Sequence, residues 1–306
     1  MNNITLLIAC FALGVLLRTS GRLPAAAPGA LNGFIVNVSL PALTLLTVHG
    51  LSLQPQLALA ALMPWLLFAA GAAFFWTVGR LLKLPRATIG ALVLTGGLAN
   101  TSFVGLPMIE TWYGREYMGV GIVIDQLGSY LVLSTLGILV AGLCRGRPAE
   151  DRPTLAGVAR KIASFTPFLA LVAALLLRPL AYPEWLSFIL GRLADTLVPL
   201  ALVSVGFQLR LSQIKGRVPL LLLGLGFKLV IGPLLMLLIL VGLFDQTGPV
   251  IRVTVFEAAM GSMIGAAIVA MDHDLDPSLV TLMVGLGIPL SFATLPAWWW
   301  VLERLA

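Results

Sequence analysis

The stretch Thr95-Gly96-Gly97-Leu98-Ala99-Asn100-Thr101-Ser102-Phe103-Val104-Gly105-Leu106-Pro107 decides how this chain reads. It lies inside the apolar run 87–113, which is long enough to span a membrane. Yet its centre holds a glycine pair, three consecutive hydrogen-bonding side chains and a Gly-x-Pro. Glycine and proline at such depth break a helix, and the backbone groups set free must face protein or a water-filled cavity rather than lipid. The stretch therefore predicts a membrane span built around a site.

The rest of the chain supplies the setting. Of 306 residues, 59% are hydrophobic and 10% charged, with a mean hydropathy of +1.02. A soluble domain runs nearer 45–50% apolar and about 25% charged, so a water-soluble protein is excluded. Apolar runs predict an all-α membrane protein of ten transmembrane helices, near 4–17, 29–48, 57–79, 87–113, 117–143, 162–177, 185–209, 218–244, 250–271 and 278–302. The short connections leave no room for an extramembrane domain. Cys10 and Cys144 have neither disulfide-framework nor metal-ligand spacing. The +6 charge does not point to nucleic acid, because the cations gather at the ends of the apolar runs. Thirteen of the nineteen Lys and Arg follow spans 1, 3, 5 and 7, against four on the other side. The positive-inside rule then places both termini outside the cytoplasm, in a multi-pass protein of the cell's inner (plasma) membrane.

The second half resembles the first at an offset of 158–160 residues. Leu16-Leu17-Arg18 matches Leu176-Leu177-Arg178, and Asn37 to Pro41 matches Asp195 to Pro199. Thr101-Ser102 and Gly105 match Gly261-Ser262 and Gly265, while Ser134-Thr135-Leu136 matches Ala293-Thr294-Leu295. The chain divides into a first five-helix repeat (1–145), a cytoplasmic linker (146–161) and a second repeat (162–306). An odd number of spans per repeat turns the second copy upside down, an arrangement used by secondary transporters. Corresponding interrupted spans point to a substrate site, here Asn100, Thr101, Ser102 and Pro107 in span 4 with Gly261, Ser262 and Gly265 in span 9. Broken helix ends suit a small organic anion through their N-termini and a cation through their carbonyls.

An ionisable group at bilayer depth costs at least ~2.5–3.5 kcal/mol and so marks a partner or a function. Asp125, Asp195, Lys228 and Glu257 stand within the predicted spans. Asp125 and Ser129 share a helix face, whereas neighbouring Gln126 is expected to face elsewhere, towards substrate. Asn100, Thr101, Asp125, Ser129 and Glu257 form an oxygen set suited to Na⁺ as coupling ion; a proton on a buried carboxyl is the rival. Lys228 is expected to neutralise a buried carboxylate, and a purely structural pair with Asp195 is the bland reading. Trp298-Trp299-Trp300 reads as an interfacial anchor. No other cofactor is called for, and an enzyme is not expected, since the Asp272–Asp276 turn has no second acidic cluster.

Span 4, with Asn100, Gly105 and Pro107, is similar to the G-N-x-x-x-x-G-x-P element of the auxin efflux carrier family. Further likenesses are Val38 to Leu43, Pro199 to Leu209, Lys228 to Pro233, Glu257 to Met260, Leu275-Asp276-Pro277 and Leu295 to Trp298. The resemblance covers nearly the whole chain. It implies an NhaA-like, PIN-like fold in which broken helices 4 and 9 cross at the substrate site and Asn100 contacts substrate. It also implies a scaffold part (spans 1, 2, 6 and 7), a transport part (spans 3–5 and 8–10) and a homodimer through the scaffold. The family proline has no counterpart in the second repeat, where Ala267 stands opposite Pro107. The function implied is secondary transport of a small organic anion; a sensor retaining the carrier fold is the alternative.

Overall fold

The structure, a computed structural model, describes residues 2–49, 51, 54–145, 157, 160, 162–208 and 216–305, and of residues 2–4 and 7 the backbone only. Most of the 146–161 linker, and Arg147, Arg152, Lys161, Arg210 and Lys215 from the charge count, lie outside these residues. Among the described residues the regular elements are all helical, apart from one antiparallel bridge between Ala99 and Ser262. In lipid a helix bonds its own backbone groups, and these Leu- and Ala-rich segments have the propensity for it. Prolines at the first positions mark several starts: Pro28, Pro167, Pro219 and Pro249, where the missing N–H costs nothing.

Six helices are long and apolar enough to cross a membrane: Ala27–His49, Gln56–Leu81, Arg115–Cys144, Glu184–Gln208, Val218–Leu243 and Pro277–Leu305. Ile8–Thr19 and Thr166–Leu176 are shorter apolar helices. The predicted spans 87–113 and 250–271 are each interrupted. The first consists of Arg86–Gly97, a π-helical turn Thr101–Gly105 and Leu106–Trp112; the second consists of Pro249–Ala258 and Ile264–Asp272.

The chain forms two compact units: residues 1–54, 102–122 and 160–209, and residues 55–101, 123–159 and 210–306. Each draws on both sequence halves. The tip 102–122, expected with the transport part, falls in the first unit, because the break at 98–100 lets the two pieces of one helix join different neighbours.

In the first unit, Asn2–Thr19 packs on Leu197–Gln208 through reciprocal glycines. A Cβ on Gly14 would strike the Val203 carbonyl, and one on Gly206 the Phe11 carbonyl, which is the small-residue packing of membrane helices. Interhelical hydrogen bonds join Ser39 to Thr196 (2.7 Å), Thr166 to Asn37 (2.9 Å) and Ser204 to Asn32 (2.6 Å). In the second unit, Gln56–Leu81 is the central helix. Its Phe74 and Phe75 rings lie 4.9 and 5.0 Å from that of Phe227, and its Pro64 nests on Gly128.

Candidate functional site

The first interrupted helix stops at Gly97, and Leu98 is extended (φ −115, ψ 130). The second stops at Ala258, with Met263 extended (φ −70, ψ 126) before the helix resumes. The two unwound segments run side by side and satisfy each other's backbone. The Asn100 N–H donates to the Gly261 carbonyl at 2.9 Å, and the Met263 N–H to that of Leu98 at 3.2 Å. Buried backbone groups must find such partners. Gly261 is required by close approach: a Cβ there would lie 2.9 Å from the Gly287 carbonyl oxygen and from Ile288 Cα, both backbone atoms of Pro277–Leu305.

The side chains around this crossing ride on π-helical turns, which recur at functional positions in helices. Thr101 opens the turn Thr101–Gly105; Asp125, Gln126 and Ser129 lie on Ile124–Ser129; Lys228 lies on Phe227–Ile231. The Thr101 hydroxyl donates to Asp125 Oδ1 at 2.6 Å, and Gln126 Nε2 donates to Asp125 Oδ2 at 2.8 Å. Gln126 therefore does not face away from Asp125. The wide turn changes the angular step between neighbours, so both side chains reach one cluster. Asn100, Thr101, Asp125, Gln126 and Ser129 are all buried.

Lys228 is completely buried, and its Nζ donates to the Ala258 carbonyl at 2.8 Å. That carbonyl closes the helix Pro249–Ala258, so the ammonium sits at a C-terminus, where the helix dipole favours a cation. Glu257, also completely buried, feels the charges of both Asp125 and Lys228. Among the described residues, neither Glu257 oxygen has a hydrogen-bond partner, nor do Ser129 Oγ, Ser262 Oγ or Gln126 Oε1.

Asp195 lies elsewhere in the fold. It belongs to the first unit, its side chain is 47% exposed, and its carboxylate meets Arg115 at 2.7 Å with Glu110 at 4.0 Å from the same guanidinium. The structural pair of Lys228 with Asp195 is thus not formed: the lysine takes a carbonyl and the aspartate takes an arginine. These three charges line a cavity of about 330 Å³ together with Leu6, Leu43 and Met118.

Ser102 is half-buried and Pro107 buried, both in the first unit. Pro107 does not make the break. It sits in the first turn of Leu106–Trp112, and the preceding π-turn makes room for the ring and the missing N–H. Gly265 is likewise inside a helix rather than at the break, and a Cβ there would lie 3.2 Å from Leu133 Cδ2.

Sequence reasoning missed two contributors. Trp298, read as an anchor, donates its indole N–H to the Leu229 carbonyl at 2.8 Å. Leu229 is four residues before Pro233, so this carbonyl is the one a helical proline leaves without its donor. Asp276, read as part of an acidic surface turn, accepts from Thr88 at 2.9 Å and Arg217 at 2.8 Å. The Asp-Pro at the head of Pro277–Leu305 signals a helix start, and the Leu279 N–H does approach Asp276 Oδ1.

A profile of the family described as membrane transport protein matches residues 1–299. An uncharacterized transporter of Methanothermobacter thermautotrophicus is 27% identical over 292 residues, covering 94% of this chain and 93% of the relative. Another, from Methanocaldococcus jannaschii, is 24% identical over 277 residues, covering 89% of each. These are relatives of a membrane transporter, not of an enzyme, and several apolar helices make the chain a multi-pass membrane protein. By that match over nearly its whole length, the chain belongs to the membrane transport protein family, that of the auxin efflux carriers.

Proposed function

We propose that this protein is a secondary active transporter of a small organic anion, a carboxylate such as a dicarboxylate or an auxin-like acid, coupled to Na⁺ or H⁺. Counting the short and interrupted helices as spans, it has ten membrane helices in two inverted repeats, with both termini extracytoplasmic, in the plasma membrane. The unit formed by 1–54, 102–122 and 160–209 holds the spans assigned to the scaffold. Alternating access comes from moving one bundle against the other, and a homodimer forms through scaffold helices.

The observation that carries this reading is the paired break: two interrupted helices meet through Asn100 and Gly261, with buried, unsatisfied oxygens on Ser129, Glu257 and Ser262. Such a cluster is costly in lipid and suits a hydrophilic ligand. Asn100, Thr101 and Ser262 are assigned to the substrate carboxylate. Ser102, Pro107, Gly261 and Gly265 shape its surroundings.

Uptake of labelled dicarboxylates and indole acids into proteoliposomes tests the proposal. Asn100→Ala is expected to reduce uptake by about five- to 150-fold, the loss of one buried polar partner being worth ~1–3 kcal/mol. Uptake equal to wild type would remove Asn100 from the site. Replacing Na⁺ by choline at fixed pH separates the two coupling ions.

A further inference from the structure

Arg192 stands inside the helix Glu184–Gln208, which is long and apolar enough to cross a membrane. From Glu184 to Arg192 the axis rises about 12 Å at 1.5 Å per residue, so the guanidinium starts well below the end of the helix. Trp185, Phe188 and Ile189 are exposed, and their spacing puts them on one face with Arg192. Arg192 is exposed on that face too. On a membrane helix, an uncovered face of large apolar side chains is turned to lipid tails.

A cation there is costly unless an anion meets it. Among the described residues Arg192 has no ion pair. Asp195, one turn further along, is already taken by Arg115 at 2.7 Å. The Arg192 guanidinium carbon instead lies 5.2 Å from the centre of the Phe188 ring. That contact leans the side chain back towards the start of the helix, the direction helical side chains take. Trp185 stands at that end, where indole rings favour the headgroup layer. The charge is thus held at the apolar face and aimed at the headgroups, as a snorkelling arginine is.

Below Arg192 the surface is hollow. A groove of about 610 Å³ is lined by Arg192, Asp195, Pro199 and Leu200 from this helix and by Leu31 and Phe34 from Ala27–His49. Both helices belong to the first unit. The bonds Ser39 to Thr196 and Ser204 to Asn32 set their register, which puts Phe34 opposite the stretch between 196 and 204, deeper than Arg192. The groove therefore has a cationic end towards the headgroups and an apolar end towards the tails, the polarity of a phospholipid. The cation is unmatched, which favours an anionic headgroup. A zwitterionic one would bring its own cation, and the nearby carboxylate, Asp195, is engaged.

We propose that this groove seats one anionic phospholipid, with its phosphate on Arg192 and one acyl chain laid over Phe34 and Leu200. The seat does not depend on what the protein transports.

Native mass spectrometry of the full-length protein in detergent tests this, with phosphatidylglycerol and phosphatidylcholine titrated in turn. The wild-type protein should retain phosphatidylglycerol more tightly than phosphatidylcholine. Arg192→Gln should weaken phosphatidylglycerol binding by about ten- to 150-fold, the range for losing a hydrogen bond to a charged group, and Arg192→Lys should keep most of it. Leu200→Trp fills the groove with Arg192 intact and should also weaken binding, which keeps the test open should Arg192→Gln fail to fold. Glycerol phosphate, which has the anion without the chains, should not displace the lipid. A wild-type protein that retains no phosphatidylglycerol overturns the proposal. So does equal binding of the two lipids, or binding unchanged by Arg192→Gln or by Leu200→Trp. Displacement by glycerol phosphate would reduce the seat to a plain anion site and overturn it as well. A variant that sheds a second copy of the chain in place of a lipid would give this face to a protein interface, against the proposal.

Discussion

The two interrupted helices end in opposite ways. At the first, Gly97 lies against a phenyl ring, with a Cβ placed there coming 3.3 Å from Phe68 Cδ2. At the second, the Ala258 carbonyl receives an ammonium, Lys228 Nζ at 2.8 Å. The offset that aligns Thr101 with Gly261 also aligns Phe68 with Lys228, so the contrast falls on one position of the proposed repeat. A helix C-terminus carries partial negative charge. The second break answers it with a cation, and the first leaves it beneath hydrocarbon. A lysine can be held without water at the second end because a carboxylate, Glu257, immediately precedes the carbonyl it caps. The first end has no acid at the matching place, where Gly96 and Gly97 stand instead. The two breaks thus carry two electrostatic environments, one apolar and one charged.

The largest expected effect comes from erasing the contrast at the charged end. Lys228→Met should destabilise the protein by about 3–5 kcal/mol, the usual cost of leaving a buried charge without its partner, as read from thermal unfolding in detergent. Adding Glu257→Gln to the same chain should recover much of the loss, since the surplus charge is then gone. A single mutant as stable as wild type would mean that the Ala258 carbonyl does not need a cation. Next in size is a comparison of glycines. Gly261→Ala should cost about 1–3 kcal/mol through overpacking, because the new methyl meets backbone atoms of Gly287 and Ile288. Gly97→Ala should stay within about 1 kcal/mol of wild type, since helix propensity favours alanine and its neighbour is a side chain able to shift. Parallel melting curves decide it, and equal losses would erase the distinction between the two breaks. Smallest is Phe68→Leu, expected to cost less than about 1.5 kcal/mol as a hydrophobic exchange of similar volume. A larger loss in the same assay would show that the apolar end is as exacting as the charged one.

Much of the fold was legible beforehand because lipid leaves few options. Runs of apolar residues must become helices, and a glycine pair followed by Asn100 has to interrupt one. Asp125, Glu257 and Thr101 stood out because polar groups are rare at depth. Asp195 stood out for the same reason and misled, since depth along a run says nothing about which face a residue takes; Arg115 reaches it from a turn eighty positions earlier. Gln126 misled because a helical wheel assumes a constant step, and Ile124–Ser129 does not keep one. Trp298 carried no signal of its role, because its partner is a backbone carbonyl freed by Pro233 in a different helix.

What the sequence alone determined, then, is the solvent and the punctuation: a chain too apolar for water, broken at two places that hold its rare buried polar groups. Only the tertiary structure decided how those groups share their bonds. Whether Lys228 meets a carboxylate or a carbonyl, and whether Asp125 or Glu257 has its oxygens filled, depends on backbone segments far apart in the chain. Hydrogen bonds have directions, and those directions exist only once Gly261 has come within reach of Asn100.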